Sequence, residues 1–232
     1  MELIVEGVRQ AGAMLLAGDP EVWQIAWLTL RVSLAATCIS VVIGVPAGVA
    51  LALGASRLHR FLIGLANTGM GLPPVVAGLW ISILLWRYGP LGQLGLMYTP
   101  AAMVIAQAVI ATPVVTGFTL AGIAQQDPRL RLQLLGLGAS RWQLYLLLVF
   151  EARIAILAGV IAGFGAVVSE VGASMMVGGN VKGHTRVLTT ATVLEVGKGN
   201  FATAIALSLV LLLLAYGVTV VLTILQQHGR RR

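Results

Sequence analysis

Three basic side chains lie close together in a glycine-rich stretch of the chain, GGNVKGHTRVLTTATVLEVGKGN. The basic and polar residues of interest there are Asn180, Lys182, His184, Thr185, Arg186 and Thr189. An oxyanion that leaves water needs cations, N–H groups and hydroxyls in place of its hydration shell, and this cluster offers all three. The same pattern also fits an external loop whose charges meet solvent or another protein. The sequence leaves both interpretations open.

Two further features occur inside apolar stretches. Glu170 is the one acid within such a stretch, and an ionisable group at membrane depth is costly enough to suggest a function. We favour the interpretation that it bonds the N-terminus of a neighbouring helix or an arginine, because a bare carboxylate would repel an anion. Pro73 and Pro74 stand between glycines, and broken backbone in a membrane is tolerated only beside protein or a water-filled cavity. The segment 71–78 is therefore a candidate wall of a path through the membrane.

Catalytic chemistry finds no support in these residues. ATP hydrolysis would need a phosphate-binding loop that ends in Gly-Lys-Ser or Gly-Lys-Thr, and the two lysines, Lys182 and Lys198, lie in no such sequence. An intramembrane enzyme would need paired catalytic groups at one depth, but Asp19 and Asp127 are predicted on opposite sides. The single cysteine, Cys38, excludes an internal disulfide and a thiolate metal site. We expect no catalytic residue, no metal and no cofactor bound by this chain.

The elements that must position these residues are transmembrane helices. Of the 232 residues, 58% are hydrophobic and 10% are charged, and the mean hydropathy is +0.95, far from the composition of soluble domains. Stretches with almost no charge predict five spans, at 24–54, 61–86, 100–122, 154–177 and 201–226. Apolar residues at helical spacing before position 18 predict an amphipathic helix along the outer membrane surface. We expect one all-α integral membrane domain over residues 1–232.

The distribution of arginine and lysine predicts the orientation of the spans. Nine arginines against Asp127 and Glu151 give a net charge of +7 to the loops and tail on one side, whereas five basic and five acidic residues balance on the other. Because cytoplasmic loops carry the positive excess, the N-terminus is predicted outside and the C-terminus in the cytoplasm. The segment 178–200 is then an external or re-entrant loop, and 125–153 is cytoplasmic. Short charge clusters between apolar runs also argue against a nucleic-acid binder.

The cytoplasmic loop, QQDPRLRLQLLGLGASRWQLYLLLVFEAR, is the largest predicted feature outside the membrane. Asp127 and Pro128 are typical of a helix start, and Gly138 is typical of a sharp turn into a second helix that begins near Ser140. Two short helices joined by such a turn would form a rigid protrusion, and a solvated loop is the alternative. Leu134, Gly138, Ala139, Ser140 and Arg141 lie at or near this turn, and the family resemblance described next implies that they form a contact with a partner.

This loop resembles the cytoplasmic loop of the permease subunits of ABC importers, which carries Glu-Ala-Ala, three residues and then Gly, and docks into a groove on the ATPase subunit. Gly138, Ala139 and Ser140 match the glycine-centred half of that motif, and Leu-Gln-Leu at 132–134 replaces Glu-Ala-Ala. GLPPVVAG at 71–78 and SEVGASMMVGGNVKGHTRVLTTATVLEVGKGNF at 169–201 are similar to tungstate-type permeases, close relatives of molybdate permeases.

The resemblance implies the molybdate-type permease fold of five transmembrane helices, in a homodimer of the inner (plasma) membrane with the path at its interface. It also implies two separate ATPase subunits, which hold ATP and Mg²⁺, and an external oxyanion-binding protein. The expected function is ATP-driven import of an oxyanion, foremost tungstate, with molybdate, sulfate or a passive channel as alternatives. The expected wall or gate of the path comprises Pro73, Pro74, Glu170, Asn180, Lys182, Thr185, Arg186 and Thr189.

Overall fold

The regular structure of the chain is helical. The computed structural model describes residues 5–9, 12–13, 18–54 and 57–230, and no strand occurs within them. The helices from residue 18 onwards are α1 Pro20–Leu53, α2 Arg57–Met70, α3 Pro74–Leu85, α4 Pro100–Ala124, α5 Pro128–Gly136, α6 Arg141–Glu151, α7 Arg153–Val168, α8 Gly172–Gly178, α9 Leu188–Gly197 and α10 Phe201–Arg230. Residues 5–9 and 12–13 of the predicted N-terminal amphipathic helix are helical, and its positions 1–4, 10–11 and 14–17 lie outside the described residues.

Three of these helices are long and apolar enough to cross a membrane on their own. They are α1, α4 and the Phe201–Gln227 part of α10. Two bent pairs also qualify: α2 with α3, at an angle of 105°, and α6 with α7, at an angle of 67°. If each pair is one crossing, the described residues provide five crossings, the number expected from the sequence. The pair of α6 and α7 begins at Arg141, however, within the stretch 125–153 that was expected to be a cytoplasmic loop. The stretch 61–86, expected as one span, is thus two helices that meet at a sharp bend.

Capping side chains followed by proline determine where the long helices α1 and α4 begin. The Asp19 carboxylate accepts the backbone N–H of Glu21 at 2.8 Å, and Pro20 occupies the first helical position of α1. At α4, the Thr99 hydroxyl accepts the N–H of Ala102 at 3.3 Å, again just before a proline. An acceptor side chain satisfies an N–H group that the first turn leaves unpaired, and proline there loses no hydrogen bond. These two signals fix the starts of α1 and α4.

Helices α1 and α4 touch through small residues at the centre of the bundle. A Cβ atom on Gly48 would lie 2.8 Å from the carbonyl oxygen of Thr116, so only glycine permits this approach. The Ser40 hydroxyl lies 3.3 Å from the carbonyl oxygen of Ala108, which adds a polar contact across the same interface. Close approach through glycine and serine is characteristic of membrane helix pairs. The helices α3, α6, α7 and α8 pack around this pair.

Two breaks in the helices lie next to each other. The chain turns at 71–73 between α2 and α3, and at 169–171 between α7 and α8, so the predicted span 154–177 is also divided. The double proline explains the first break, because proline removes a backbone donor and clashes with the preceding turn. A Cβ atom on Gly172 would lie 2.8 Å from Cγ2 of Val75, so the residues just after the two breaks are in contact.

The residues that the sequence analysis singled out lie mainly at two ends of the bundle, which correspond to the two ends of α1. We call the Asp19 end the one formed by the start of α1, the loop 86–99 and the segment 179–200. The Tyr98 N–H donates to the carbonyl oxygen of Val177 at the end of α8 at 2.9 Å, and a Cβ atom on Gly179 would lie 2.7 Å from Cδ1 of Tyr98, so the loop 86–99 contacts the start of the segment 179–200. We call the Gly138 end the one formed by α5, α6 and the last turns of α1 and α4, which share one apolar cluster with α6 and α7.

Candidate functional site

At the Asp19 end, the predicted basic and polar cluster folds into a compact turn at 179–187. The backbone N–H groups of 184–186 all lie 3.0 to 3.1 Å from the carbonyl oxygen of Val181. The buried Thr185 hydroxyl accepts the N–H of Val181 at 2.9 Å and donates to the carbonyl oxygen of Gly178 at 2.5 Å. Because both partners are backbone groups, Thr185 holds the turn in shape.

The structure brings Lys182 and Arg186 to one carboxylate, that of Glu21 on α1. The Lys182 Nζ lies 2.7 Å from Oε2 of Glu21, and Nη1 of Arg186 lies 3.8 Å from its Oε1. The Gln24 Nε2 on the next turn of α1 donates to the carbonyl oxygen of Gly183 at 3.3 Å. Lys182 and Glu21 are 161 positions apart, and an acid in a first helical turn is already explained by the helix dipole. The sequence therefore does not reveal this contact.

Two cavities flank Arg186. The first has a volume of about 260 Å³, and its charged lining residues are Asp19, Glu21, Lys182, Arg186, Glu195 and Lys198. The second has a volume of about 300 Å³ and is lined by Gln24, Ile25, Trp27, Leu28, Arg31, Gly183, His184 and Arg186. Arg186 and Ile25 belong to both walls. The basic cluster thus lies between two spaces of ion size or larger.

The charges of the first cavity are largely paired with each other. The Lys198 Nζ lies 2.6 Å from Oε1 of Glu195, and Asn200 Nδ2 donates to the other oxygen at 3.0 Å. The hydrogen bond from Lys198 is the main reason that the pKa of the Glu195 carboxyl is lowered from its usual value. With Lys182 held by Glu21, this cavity is a set of mutual ion pairs.

Arg31 is the member of the second cavity that the sequence analysis missed. It is the only basic residue inside the five predicted spans, and this isolation is the signal that could have found it. The partner that balances it by formal charge in the sequence, Glu170, lies elsewhere. The fold places Arg31 beside His184 and Arg186 in one cavity wall.

Asn180 and Thr189 join the turn and α9 to neighbouring backbone. The Thr189 hydroxyl donates to the carbonyl oxygen of Glu170 at 3.0 Å. The Asn180 Nδ2 lies 3.3 Å from the carbonyl oxygen of Thr190, and the Asn180 backbone has a φ of 53°. In this conformation the hydroxyls of Thr185 and Thr189 both donate hydrogen bonds to backbone carbonyl oxygens. Both hydroxyls position the segment instead of offering free donors to an ion.

Glu170 lies at the second helix break and is 7% exposed. Its Oε1 accepts the backbone N–H of Ala173 at 2.8 Å, so the carboxylate stabilises the start of α8. This is the contact with a helix N-terminus that we favoured from the sequence. Pro73 precedes α3 and Pro74 is its first residue. Since the two breaks are in contact, Glu170 and the double proline occupy neighbouring positions.

At the Gly138 end, α5 and α6 form the helix, turn and helix expected from the sequence. The N–H of Ala139 donates to the carbonyl oxygen of Leu134 at 3.0 Å, and that of Gly138 donates to Leu135 at 3.0 Å. With a φ of 82° at Gly138, these bonds form a Schellman motif, which ends a helix at a left-handed glycine. The turn therefore satisfies the last carbonyls of α5 without help from the rest of the bundle.

The second helix of this loop begins with its own cap. The N–H of Gln143 donates to the Ser140 hydroxyl at 3.3 Å, and the N–H of Ser140 donates to the Gln143 side chain at 2.8 Å. An open groove of about 540 Å³ beside the turn is lined by Leu134, Leu137, Gly138, Ala139, Gln143, Leu146 and Leu147. Leu137 is 85% exposed, and Arg141 is exposed as well. A largely apolar, exposed groove of this kind is typical of a protein contact surface.

Comparisons with known proteins agree with this architecture. The sequence profile of the family described as "Binding-protein-dependent transport system inner membrane component" matches residues 44–232. The tungstate uptake system permease protein TupB of Peptoclostridium acidaminophilum is 38% identical over 98% of this chain and 100% of that protein. A probable anion ABC transporter permease protein of Haloferax volcanii is 37% identical over 82% of this chain and 84% of that protein.

A solved structure supports the fold. A chain from the inward-facing MetNI methionine ABC transporter superposes with a TM-score of 0.75 at 20% identity, over 91% of this chain and 98% of that chain. The all-helical bundle with two bent pairs is therefore an ABC importer permease fold. Together with the profile match over most of the sequence, these findings show that the chain belongs to the family of binding-protein-dependent transport system inner membrane components.

Proposed function

We propose that this chain is the membrane-spanning subunit of an ATP-driven importer of tungstate. The observation that carries the proposal is the 38% identity to a tungstate uptake permease over nearly the whole chain. The sequence has no phosphate-binding loop, so ATP and Mg²⁺ belong to separate ATPase subunits. In this proposal the Gly138 end faces the cytoplasm and the Asp19 end faces the outside of the inner (plasma) membrane, which is supported by the net charge of +7 on the loops and tail predicted on one side of the membrane.

The contact with the ATPase belongs to the turn between α5 and α6. Its support is the exposed, mostly apolar groove beside Gly138 and the two local caps that make the turn rigid. A rigid turn can transmit a movement of the ATPase to α6, and through the 67° bend to α7. The contact residues in this proposal are Leu134, Gly138, Ala139, Ser140 and Arg141. Two copies of this chain pair with two ATPase subunits.

The translocation path lies at the interface of the two copies. Its support is the pair of neighbouring helix breaks, because irregular backbone at membrane depth is tolerated where it lines a cavity. Lys182 and Arg186 supply positive charge at the outer end, and Glu170 acts as a positioning residue through the start of α8. The proposed wall or gate comprises Pro73, Pro74, Glu170, Asn180, Lys182, Thr185, Arg186 and Thr189.

Transport proceeds by alternating access in this proposal. ATP closes the paired ATPases, the turns at Gly138 move with them, and the two permease copies rock to open outward. An external binding protein then releases its oxyanion into the outward cavity. After hydrolysis the copies return, and the ion leaves on the cytoplasmic side. Substrate choice depends largely on the binding protein, because the same fold can carry related anions.

Reconstitution tests this function. The permease, its ATPase and a binding protein loaded with radiolabelled tungstate, molybdate or sulfate are combined with proteoliposomes. We expect uptake that requires both ATP and loaded binding protein and that is fastest with tungstate. Faster uptake of molybdate or sulfate would reassign the substrate. Flux down a gradient without ATP or binding protein would instead indicate a passive channel.

A further inference from the structure

The two cavities beside Arg186 differ in charge. The cavity of about 260 Å³ contains three acidic and three basic side chains, which balance. The cavity of about 300 Å³ contains Arg31, His184 and Arg186 and, among the described residues, no acidic side chain. This space is an open cleft, because Trp27, Arg31 and His184 in its wall are exposed, and a cleft lined by one sign of charge concentrates ions of the opposite sign. We call this second space the cationic cavity, and its charge suits an anion.

Arg186 forms the wall between the cavities and has one buried donor without a partner among the described residues. Its side chain is 17% exposed, and its Nε is buried without a hydrogen-bond partner among the described residues. Its Nη1 lies 3.8 Å from Oε1 of Glu21, which exceeds hydrogen-bond distance. A largely buried guanidinium with an unpaired N–H group is costly unless an acceptor completes it. An oxyanion beside Arg186 would be such an acceptor.

Arg31 supplies a second permanent charge from α1. No ion pair joins it to a carboxylate among the described residues. Glu170, the acid of the predicted spans, is bonded to the N–H of Ala173 instead. An unpaired charge on a spanning helix is costly and points to a function. Because Arg31 lies beside Arg186 in the cationic cavity, its charge can bind an anion there.

The cationic cavity is large enough for a partly hydrated ion. Gln24 Nε2 donates to the carbonyl oxygen of Gly183 at 3.3 Å, so this acceptor in the wall is already occupied. A water molecule takes about 30 Å³ in the liquid, so a space of this size equals the share of about ten waters. An ion with one central atom and four oxygens therefore fits together with part of its hydration shell.

We infer that the cationic cavity is an oxyanion-binding site, in which Arg31 and Arg186 hold a tetrahedral dianion at the Asp19 end, next to the lining residue His184. Two guanidinium groups are well suited to this task, because their planar sets of N–H donors match pairs of anion oxygens. The identity of the ion as tungstate rests on the proposed function, whereas the site itself rests on the cavity. An ion released by the binding protein is held here before it enters the path.

Protection of an engineered cysteine locates the ion directly. His184→Cys is made on a Cys38→Ser background in the reconstituted complex and is labelled with an anionic thiosulfonate reagent. Tungstate at about ten times its dissociation constant should slow this labelling about tenfold. Tyr88→Cys, an exposed position of the loop 86–99, is the matched control and should label at the same rate with or without tungstate. Failure of tungstate, molybdate and sulfate alike to protect position 184 overturns the site.

Transport rates test the contribution of Arg31. Arg31→Ala should lower the maximal uptake rate about tenfold or more at saturating loaded binding protein, because a charge-assisted contact is lost. Arg31→Lys should retain part of the rate, and Arg87→Ala, in the loop 86–99, should retain all of it. Binding-protein-stimulated ATP hydrolysis and ATPase association should persist in Arg31→Ala, which excludes misfolding. Full uptake by Arg31→Ala, or unchanged protection at position 184 in that variant, contradicts the inference.

The same measurements separate the ion from a lipid headgroup, whose phosphate has similar chemistry. If a headgroup fills the cavity, labelling at position 184 falls as the anionic lipid content of the vesicles rises, tungstate has no further effect, and the ion site is overturned. They also separate this inference from the proposed function. Protection by an oxyanion without tungstate uptake by the wild type would leave the site intact and refute the function. Uptake without protection would refute the site alone.

Discussion

The two loops that carry the candidate functional residues are held in different ways. The turn 179–187 at the Asp19 end is joined to a distant part of the chain, because Glu21 bonds Lys182 and Gln24 bonds Gly183. Just after this turn, the N–H of Leu188 donates to the Thr29 hydroxyl at 2.9 Å. Every one of these partners lies on α1. The outer segment 179–200 therefore has internal bonds of its own, but its position also depends on α1.

The turn between α5 and α6 is held almost entirely by its own residues. Its Schellman bonds and its capping box join groups no more than five positions apart. Beyond the turn, α6 is joined to the bundle by its apolar contacts and by a hydrogen bond from Gln126 Nε2 to the carbonyl oxygen of Leu148 at 3.0 Å. A loop of this kind keeps its shape while it moves, whereas the outer segment changes when α1 moves. The first suits a contact with a motor subunit, and the second suits a gate.

The change with the largest expected effect breaks the internal hydrogen bonds of the turn 179–187. Thr185→Val keeps the shape of the side chain but removes the hydroxyl that pairs with Val181 N–H and the Gly178 carbonyl. One buried and one partly buried backbone group lose their partners, so we expect a loss of about 2 to 3 kcal/mol in stability, measured by thermal unfolding of the purified complex. Thr192→Val is the control, because its hydroxyl only adds a bond to the Leu188 carbonyl within α9. Equal shifts in the two variants would contradict this account.

A second change acts on the rigidity of the inner turn. Gly138→Asp places a side chain at a φ of 82°, a strain of about 1 to 2 kcal/mol, and puts a charge beside the apolar groove. We expect the ATPase to be lost on copurification while the membrane domain keeps its thermal stability, since the turn bonds mainly to itself. Gly136→Asp adds the same charge two positions earlier without a positive φ and should lose less ATPase. Unchanged ATPase stoichiometry in Gly138→Asp would refute the docking assignment.

A third change tests whether the outer segment is really fixed through α1. Glu21→Gln removes the carboxylate shared by Lys182 and Arg186. Because exposed ion pairs contribute little, the expected loss of stability is about 0.5 to 1 kcal/mol. Lys182→Met should give a similar loss, and the double variant should lose less than the sum of the two. Strictly additive losses would mean that the pair does not form in the membrane.

The sequence predicts the parts of this molecule that depend on local chemistry. Apolar stretches indicate the crossings, and Gly138 and Ser140 indicate the turn between α5 and α6 and the helix after it. The double proline at 73–74 indicates a broken span. Each of these signals acts within a few residues, which is why each can be interpreted without the fold.

The parts that the sequence does not reveal depend on contacts between distant segments. No proline marks the break at 169–171, which the carboxylate of Glu170 and the hydroxyl of Thr189 stabilise from its two sides. In the sequence, Glu21 is an ordinary acid of a first helical turn, and nothing there indicates its contacts with Lys182 and Arg186. In the sequence, the charge of Arg31 is balanced by that of Glu170, the one acid within the spans. Only the packing of the turn 179–187 on α1 shows the cavity that Arg31 shares with Arg186.

The change with the smallest expected effect removes an ion pair at the Asp19 end. Like the bonds of the turn between α5 and α6, this pair joins residues that are close in sequence. Lys198 and Glu195 lie three positions apart at the end of α9, with Nζ 2.6 Å from Oε1. Removing the pair by Lys198→Met should cost about 0.5 kcal/mol at pH 7 and should leave the turn 179–187 unchanged, so tungstate protection at position 184 should persist.

The pH dependence of this loss gives the decisive measurement. The hydrogen bond from Lys198 lowers the pKa of Glu195 in the folded protein from 4.5. The pair therefore stabilises the folded state above the unfolded pKa, and this contribution disappears as the pH falls through the lower, folded value. The difference in thermal stability between the wild type and Lys198→Met should be constant near neutrality and shrink below about pH 4.5. A difference that grows on acidification would show that the charge of Lys198 acts on another group, and the pair would not be local.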